Sequence, residues 1–89
     1  MKKYLEQTFA FNSGREETYL LPIDKEYNNK TDEELLTIFN ENLIDVIFKP
    51  LFKASSNGQY NFIDKAGYYT IIKLSDVSRF SYKIVQMKE

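Results

Sequence analysis

The sequence predicts an α+β protein: an N-terminal β-hairpin, one amphipathic α-helix, and then an antiparallel β-meander of three to four strands packed on the helix. Residues 31–48 are the one segment with a convincing helical period, and the flanking segments alternate apolar and polar side chains as half-buried strands do. A chain of 89 residues forms one core, so we expect a single domain over residues 1–89.

The N-terminal hairpin is predicted from two alternating segments, residues 3–11 and 17–23. Between them, residues 12–14 read Asn-Ser-Gly, which is typical of a turn. Side chains alternate with a period of two, so the register must pair like with like. Placing Phe9 opposite Tyr19 satisfies that condition and leaves a loop of about five residues.

The helix is predicted over residues 31–48. Thr31 can cap its first turn, and Glu34 can reach back to the Thr31 amide, which makes a capping box. Residues 49–50, Lys-Pro, supply a stop signal. The broad apolar face of this helix consists of Leu35, Ile38, Phe39, Leu43, Val46 and Ile47. Asn42 falls inside that face, so we expect it to be buried and hydrogen-bonded.

The segment after the helix alternates as further strands, with turn residues between them. Strands are predicted at residues 59–64, 68–74 and 80–87, with a short one at 51–54. If Gly67 takes the left-handed position of a bulged type I turn, Asp64 lies opposite Tyr68.

The last strand is predicted to pair with the one before it, with Leu74 opposite Phe80 and Ile72 opposite Tyr82. This pairing gives one apolar face directed at the helix: Tyr60, Phe62, Tyr68, Ile72, Leu74, Phe80, Tyr82 and Ile84. The outer face then carries Asn61, Ile63, Tyr69, Ile71, Lys73, Ser81, Lys83 and Val85.

The composition argues against catalysis. The chain has no His and no Cys, which removes the usual general base, the nucleophilic triads that need them, and thiolate metal sites. Its three glycines are isolated in turns, so no phosphate-binding loop is predicted. We therefore expect a protein that is not an enzyme and has no cofactor or metal site. No signal peptide or membrane-spanning segment is predicted, which favours a soluble, cytoplasmic protein.

The charges are divided unevenly along the chain. Ten acids and five bases precede residue 49, whereas seven bases and three acids follow residue 48. We expect the two halves to attract each other within the fold. Recognition of an anionic partner by the basic half is the alternative.

Apolar residues left outside the predicted core indicate a surface that binds protein, either another chain or a second copy. One predicted patch, on the polar side of the helix, consists of Ile44 and Phe48. A second, on the outer sheet face, consists of Ile63, Tyr69, Ile71 and Val85.

Two other partners are kept as alternatives. Tyr69, Lys73 and Lys83 on the outer sheet face combine an aromatic ring with cations, as in surfaces that bind single-stranded nucleic acid. Glu41 and Asp45 lie four residues apart on the helix, so an acidic helix could regulate a basic protein surface.

Overall fold

The computed structural model describes residues 2–27, 29–43 and 58–87, which form one α-helix and two antiparallel sheets. The elements are β1 (Lys2–Phe11), β2 (Glu16–Pro22), α1 (Asp32–Leu43), β3 (Gln59–Ile63), β4 (Tyr69–Lys73) and β5 (Val77–Met87). Single 3-10 turns occupy Lys25–Tyr27 and Leu74–Asp76. The α+β class and the order of hairpin, helix and further antiparallel strands are confirmed.

The N-terminal hairpin forms, but its register differs from the predicted one by two residues. Gln7 lies opposite Tyr19, and Phe9 lies opposite Glu17. The Phe11 amide donates to the Arg15 carbonyl at 2.8 Å, so the loop is three residues long instead of five. A shift of two preserves the side-chain faces, so the apolar face is the predicted one.

The predicted pairing of the last two strands is wrong. β5 pairs with β1, so Phe80 lies opposite Phe9 and not opposite Leu74, and Tyr82 does not lie opposite Ile72. One sheet has the order β2-β1-β5, and the other consists of β3 and β4.

The link between β4 and β5 explains this difference. Leu74–Asp76 forms a 3-10 turn in place of a hairpin loop. The Asp76 carbonyl accepts the Asn12 amide at 2.8 Å, and the Ser75 carbonyl accepts the Asn12 side chain at 3.1 Å. These bonds place the start of β5 beside the end of β1, where a long antiparallel ladder follows.

The predicted turn between β3 and β4 is confirmed. Gly67 has a φ of +91°, its amide donates to the Asp64 carbonyl at 3.0 Å, and the Asp64 amide donates to the Tyr68 carbonyl at 3.0 Å. The strands on either side are therefore in the predicted register, with Tyr60 opposite Ile72.

The core lies on one face of the β2-β1-β5 sheet. The β3–β4 hairpin and Leu43 cover one end, with Phe9, Leu43, Tyr60, Phe62, Ile72, Leu74 and Val77 buried together. Helix α1 covers the other end, where Leu5, Ile23 and Leu35 are buried. Tyr68 was predicted to share the inner face, but it is 72% exposed because it lies at the turn, beyond the edge of the core.

Helix α1 begins with the predicted capping box. The Thr31 amide donates to Glu34 Oε1, and the Glu34 amide donates to Thr31 Oγ1, both at 3.2 Å. Asn42 is exposed, so its predicted burial is wrong. The predicted end of the helix, including Ile44 and Phe48, and the short strand at 51–54 lie outside the described residues.

None of the helices within the described ranges combines the length and the apolar character that crossing a bilayer requires.

Candidate protein interface

The outer side of the β3–β4 hairpin carries an exposed apolar surface. Side chains alternate along each strand, so Tyr60, Phe62 and Ile72 point into the core and their neighbours point outward. Ile63, Tyr69 and Ile71, which we call the hairpin face, are 60%, 64% and 54% exposed.

The register brings the apolar residues together at the turn end of the hairpin. Ile63 lies directly opposite Tyr69, and Ile71 follows Tyr69 by two positions on the same side. Tyr68, in the turn just before β4, is 72% exposed as well, but alternation places it on the other side of the hairpin. The three side chains of the hairpin face leave on the order of 350 Å² exposed, which is within the range of the largest apolar patch on a monomeric protein.

Polar side chains border the hairpin face at its other end. Gln59 lies opposite Lys73, and Asn61 lies opposite Ile71. All three of these polar side chains are exposed. The surface therefore has an apolar centre and a polar rim, which is the usual arrangement in a protein interface.

The hairpin is held in place from its inner side. The Phe62 ring stacks on Phe9, with centroids 6.3 Å apart, and meets the Tyr19 ring edge-on at 5.2 Å. At the turn, the Lys65 amide donates to the Leu20 carbonyl of β2 at 2.7 Å. The hairpin face is thus presented on a supported element.

No protein-family profile, curated protein or solved structure matches this chain.

The structure brings together only part of each predicted site. Ile63, Tyr69 and Ile71 share one face, whereas Val85 is half-buried on β5, opposite Tyr4 in the other sheet. Their predicted proximity depended on the pairing of β4 with β5, which does not form. Ile44 and Phe48 of the other predicted patch lie outside the described residues.

The predicted nucleic-acid residues are also divided between the sheets. Tyr69 and Lys73 lie on the outer side of β4, but Lys83 lies on β5. Its Nζ is 3.8 Å from Glu6 Oε1 on the neighbouring strand. Tyr69 and Lys73 therefore remain on the same side of β4, at opposite ends of the strand, and Lys83 is separated from them.

Two ion pairs among the described residues connect the acidic and basic parts of the chain, whereas the Lys3–Asp32 and Arg15–Glu17 pairs lie within the acidic part. Arg79 of β5 pairs with Glu16 of β2, and Lys83 pairs with Glu6. These exposed pairs use bases from the second half of the chain and acids from the first. Of the predicted acidic pair, Glu41 is exposed on α1, and Asp45 lies outside the described residues.

Two tyrosines inside the fold, Tyr60 and Tyr19, have a raised pKa. Burial raises the pKa of Tyr60 to about 12, and burial with a hydrogen bond to Glu17 raises the pKa of Tyr19 to about 12. Both hydroxyls therefore stay protonated near neutral pH and serve as hydrogen-bond donors. Within residues 2–27, 29–43 and 58–87, no three acidic side chains converge as a metal site would need.

Proposed function

We propose that this chain is a small, non-enzymatic protein-interaction module that binds through the hairpin face. One observation carries the proposal. Among the described residues, the large hydrophobic side chains that are exposed all lie on one hairpin: Ile63, Tyr68, Tyr69 and Ile71.

These exposed residues indicate a binding surface because they lie close together on one hairpin. Isolated exposed apolar residues are ordinary, but a contiguous patch with a polar border is typical of a binding surface. Tyrosine suits such a surface, because its ring offers a large contact area and its hydroxyl forms hydrogen bonds at the rim. Tyr69, in the middle of the hairpin face, is of this type.

The charges favour protein over nucleic acid. A surface for single strands combines stacking rings with several cations along the backbone path. Here Lys83 and Arg79 are on the other sheet and are paired with acids, and the whole chain has a net charge of −1. Of the predicted nucleic-acid residues only Lys73 remains near Tyr69 as a cation on the same strand, and one cation supplies little attraction for phosphates.

Affinity capture from the native host tests the proposal. Three baits are compared: the wild type, a Tyr69→Ser/Ile71→Ser double variant, and a Ser81→Ala/Gln86→Ala double variant on exposed positions of β5. We expect proteins that the wild type and the β5 variant recover, and that the hairpin-face variant loses. Folding of each bait is checked by circular dichroism.

Two results would contradict the proposal. One is recovery of the same proteins by all three baits. The other is a captured fraction that disappears after nuclease treatment, which would assign the surface to nucleic acid.

A further inference from the structure

We infer that a second copy of this chain docks on the edge of β4 that faces away from β3, with the two β4 strands antiparallel and Ile71 on the two-fold axis. The inference rests on the proposed function, because pairing at this edge joins two hairpin faces into one larger binding surface.

The edge of β4 carries main-chain groups available for pairing. The Asp64 amide bonds to Tyr68, and the Leu74 amide donates to the Gly58 carbonyl at 3.0 Å. In an antiparallel hairpin, the amide and carbonyl of every second residue form hydrogen bonds to the opposite strand. These two bonds therefore show which residues of β4 bond to β3. The amides and carbonyls of Tyr69, Ile71 and Lys73 therefore point away from β3.

Within the described residues, no strand pairs with this edge. A groove of about 360 Å³ runs beside it, between Ile71 and Lys73 on one side and Phe11 and Arg15 on the other. Natural edge strands are commonly protected by proline, a bulge or a central charge. β4 has none of these at its centre, and its one charged residue, Lys73, is at its end.

The sequence of β4 is complementary to itself in the antiparallel direction. The register that uses all of Tyr69–Lys73 places Ile71 opposite the partner's Ile71 and Tyr69 opposite the partner's Lys73. Each outer pair sets a cation beside an aromatic ring, which is attractive. A register centred on Lys73 would oppose two like charges.

This pairing would form roughly six main-chain hydrogen bonds and a four-stranded sheet. It also enlarges the binding surface. One hairpin face exposes on the order of 350 Å², less than half of the roughly 800 Å² that each partner contributes to a standard interface. Two joined faces expose about twice as much as one, which brings the surface close to that size.

A charge swap at the axis tests the inference. Ile71 faces itself only if it lies on the two-fold axis, so Ile71→Lys and Ile71→Glu should each weaken the dimer more than roughly tenfold through like charges. An equimolar mixture of the two variants should restore dimerisation, because opposite charges then face each other. Sedimentation velocity over a range of concentrations measures all three samples and the wild type.

A second measurement covers the case in which these variants fold poorly. The chain has no cysteine, so a spin label on Ile71→Cys reports one position. We expect strong dipolar broadening of the electron paramagnetic resonance spectrum, and this broadening should vanish when the labelled protein is diluted with unlabelled protein. A label on Gln86→Cys should show no such broadening.

A wild type that stays monomeric at every concentration would overturn the inference, as would a mixture no more dimeric than its components. If capture of another protein still depends on Tyr69 and Ile71 in that case, the proposed function stands without the second copy. If dimerisation follows the charge swap but no captured protein depends on the face, the dimer stands and the proposed function fails.

Discussion

The Tyr60 hydroxyl donates a hydrogen bond to Gln7 Oε1 at 2.6 Å and so joins the two sheets inside the core. Gln7 is fully buried at the centre of β1, and its Nε2 has no hydrogen-bond partner. The bond ties the inner side of β3 to β1, and it therefore fixes the direction in which the hairpin face points.

The first prediction concerns this buried pair. Tyr60→Phe should lower the free energy of unfolding by roughly 1–3 kcal/mol, because it leaves the Gln7 carbonyl oxygen buried without a partner. Adding Gln7→Leu should recover part of that loss, because no buried amide then remains. Urea denaturation of the two single variants and the double variant measures the coupling. Strictly additive effects would show that the hydrogen bond contributes nothing.

The second prediction concerns alkaline pH. Burial raises the pKa of Tyr60 to about 12, whereas an unfolded tyrosine titrates near 10. The folded state therefore keeps a proton that the unfolded state loses, so the contribution of Tyr60 to stability is constant below pH 10 and is lost as the pH rises from 10 through 12. In Tyr60→Phe this fall should be smaller by roughly 2 kcal/mol.

Denaturation at pH 9 and near pH 12 gives the comparison, with Tyr68→Phe as the matched control on an exposed ring. An equal loss of stability in the wild type and in Tyr60→Phe would contradict the assigned burial.

The third prediction concerns the start of α1. Thr31→Ala removes the hydroxyl that accepts the Glu34 amide, and a lost cap of this kind lowers the free energy of unfolding by about 1 kcal/mol. Thr31→Ser keeps the hydroxyl and should stay close to the wild type. Thermal unfolding followed by circular dichroism separates the two variants.

The same cap has a signature at acidic pH. Hydrogen bonds from the Thr31 amide and hydroxyl lower the pKa of Glu34. The stabilisation is thus present above the usual pKa of a glutamate and is lost as the pH falls through the folded value. Titration by nuclear magnetic resonance should show the Glu34 pKa rising in Thr31→Ala. An unchanged value would mean that the hydroxyl does not contribute.

The fourth prediction concerns the turn that shapes the hairpin. Gly67 has a φ of +91°, and a Cβ there would meet nothing within 4 Å, so the penalty of Gly67→Ala is conformational and not steric. We expect a loss of roughly 1 kcal/mol and a smaller loss for Gly67→Asn, because asparagine tolerates positive φ better. Equal stability of all three proteins would contradict the left-handed turn.

Local patterns were enough to predict the helix and strands that the structure describes, together with the hairpin face. The capping box of Thr31 and the bulged turn at Gly67 depend on neighbouring residues, so each could be read from a few positions. The outward direction of Ile63, Tyr69 and Ile71 follows from alternation on either side of that turn, and it is what the structure shows.

Long-range pairing could not be read in the same way. The apolar alternation of β5 is compatible with pairing to β4 or to β1, since both offer an apolar face of the same period. The hydrogen bonds from Asn12 to the Leu74–Asp76 turn place β5 beside β1 and not beside β4. These bonds join residues that are far apart in the sequence, so no local pattern predicts them. The burial of Gln7 has a different reason: alternation places it inward, between Leu5 and Phe9, but a polar side chain is not one that an apolar pattern assigns to a core.

Photo-crosslinking in the native host tests the central claim most directly. A photoreactive phenylalanine analogue is placed at position 69, on the hairpin face, and in a control chain at position 81, on the exposed side of β5. We predict a covalent protein adduct from position 69 that is absent from position 81. No protein adduct from position 69, or the same adducts from both positions, would contradict the claim that the hairpin face binds protein.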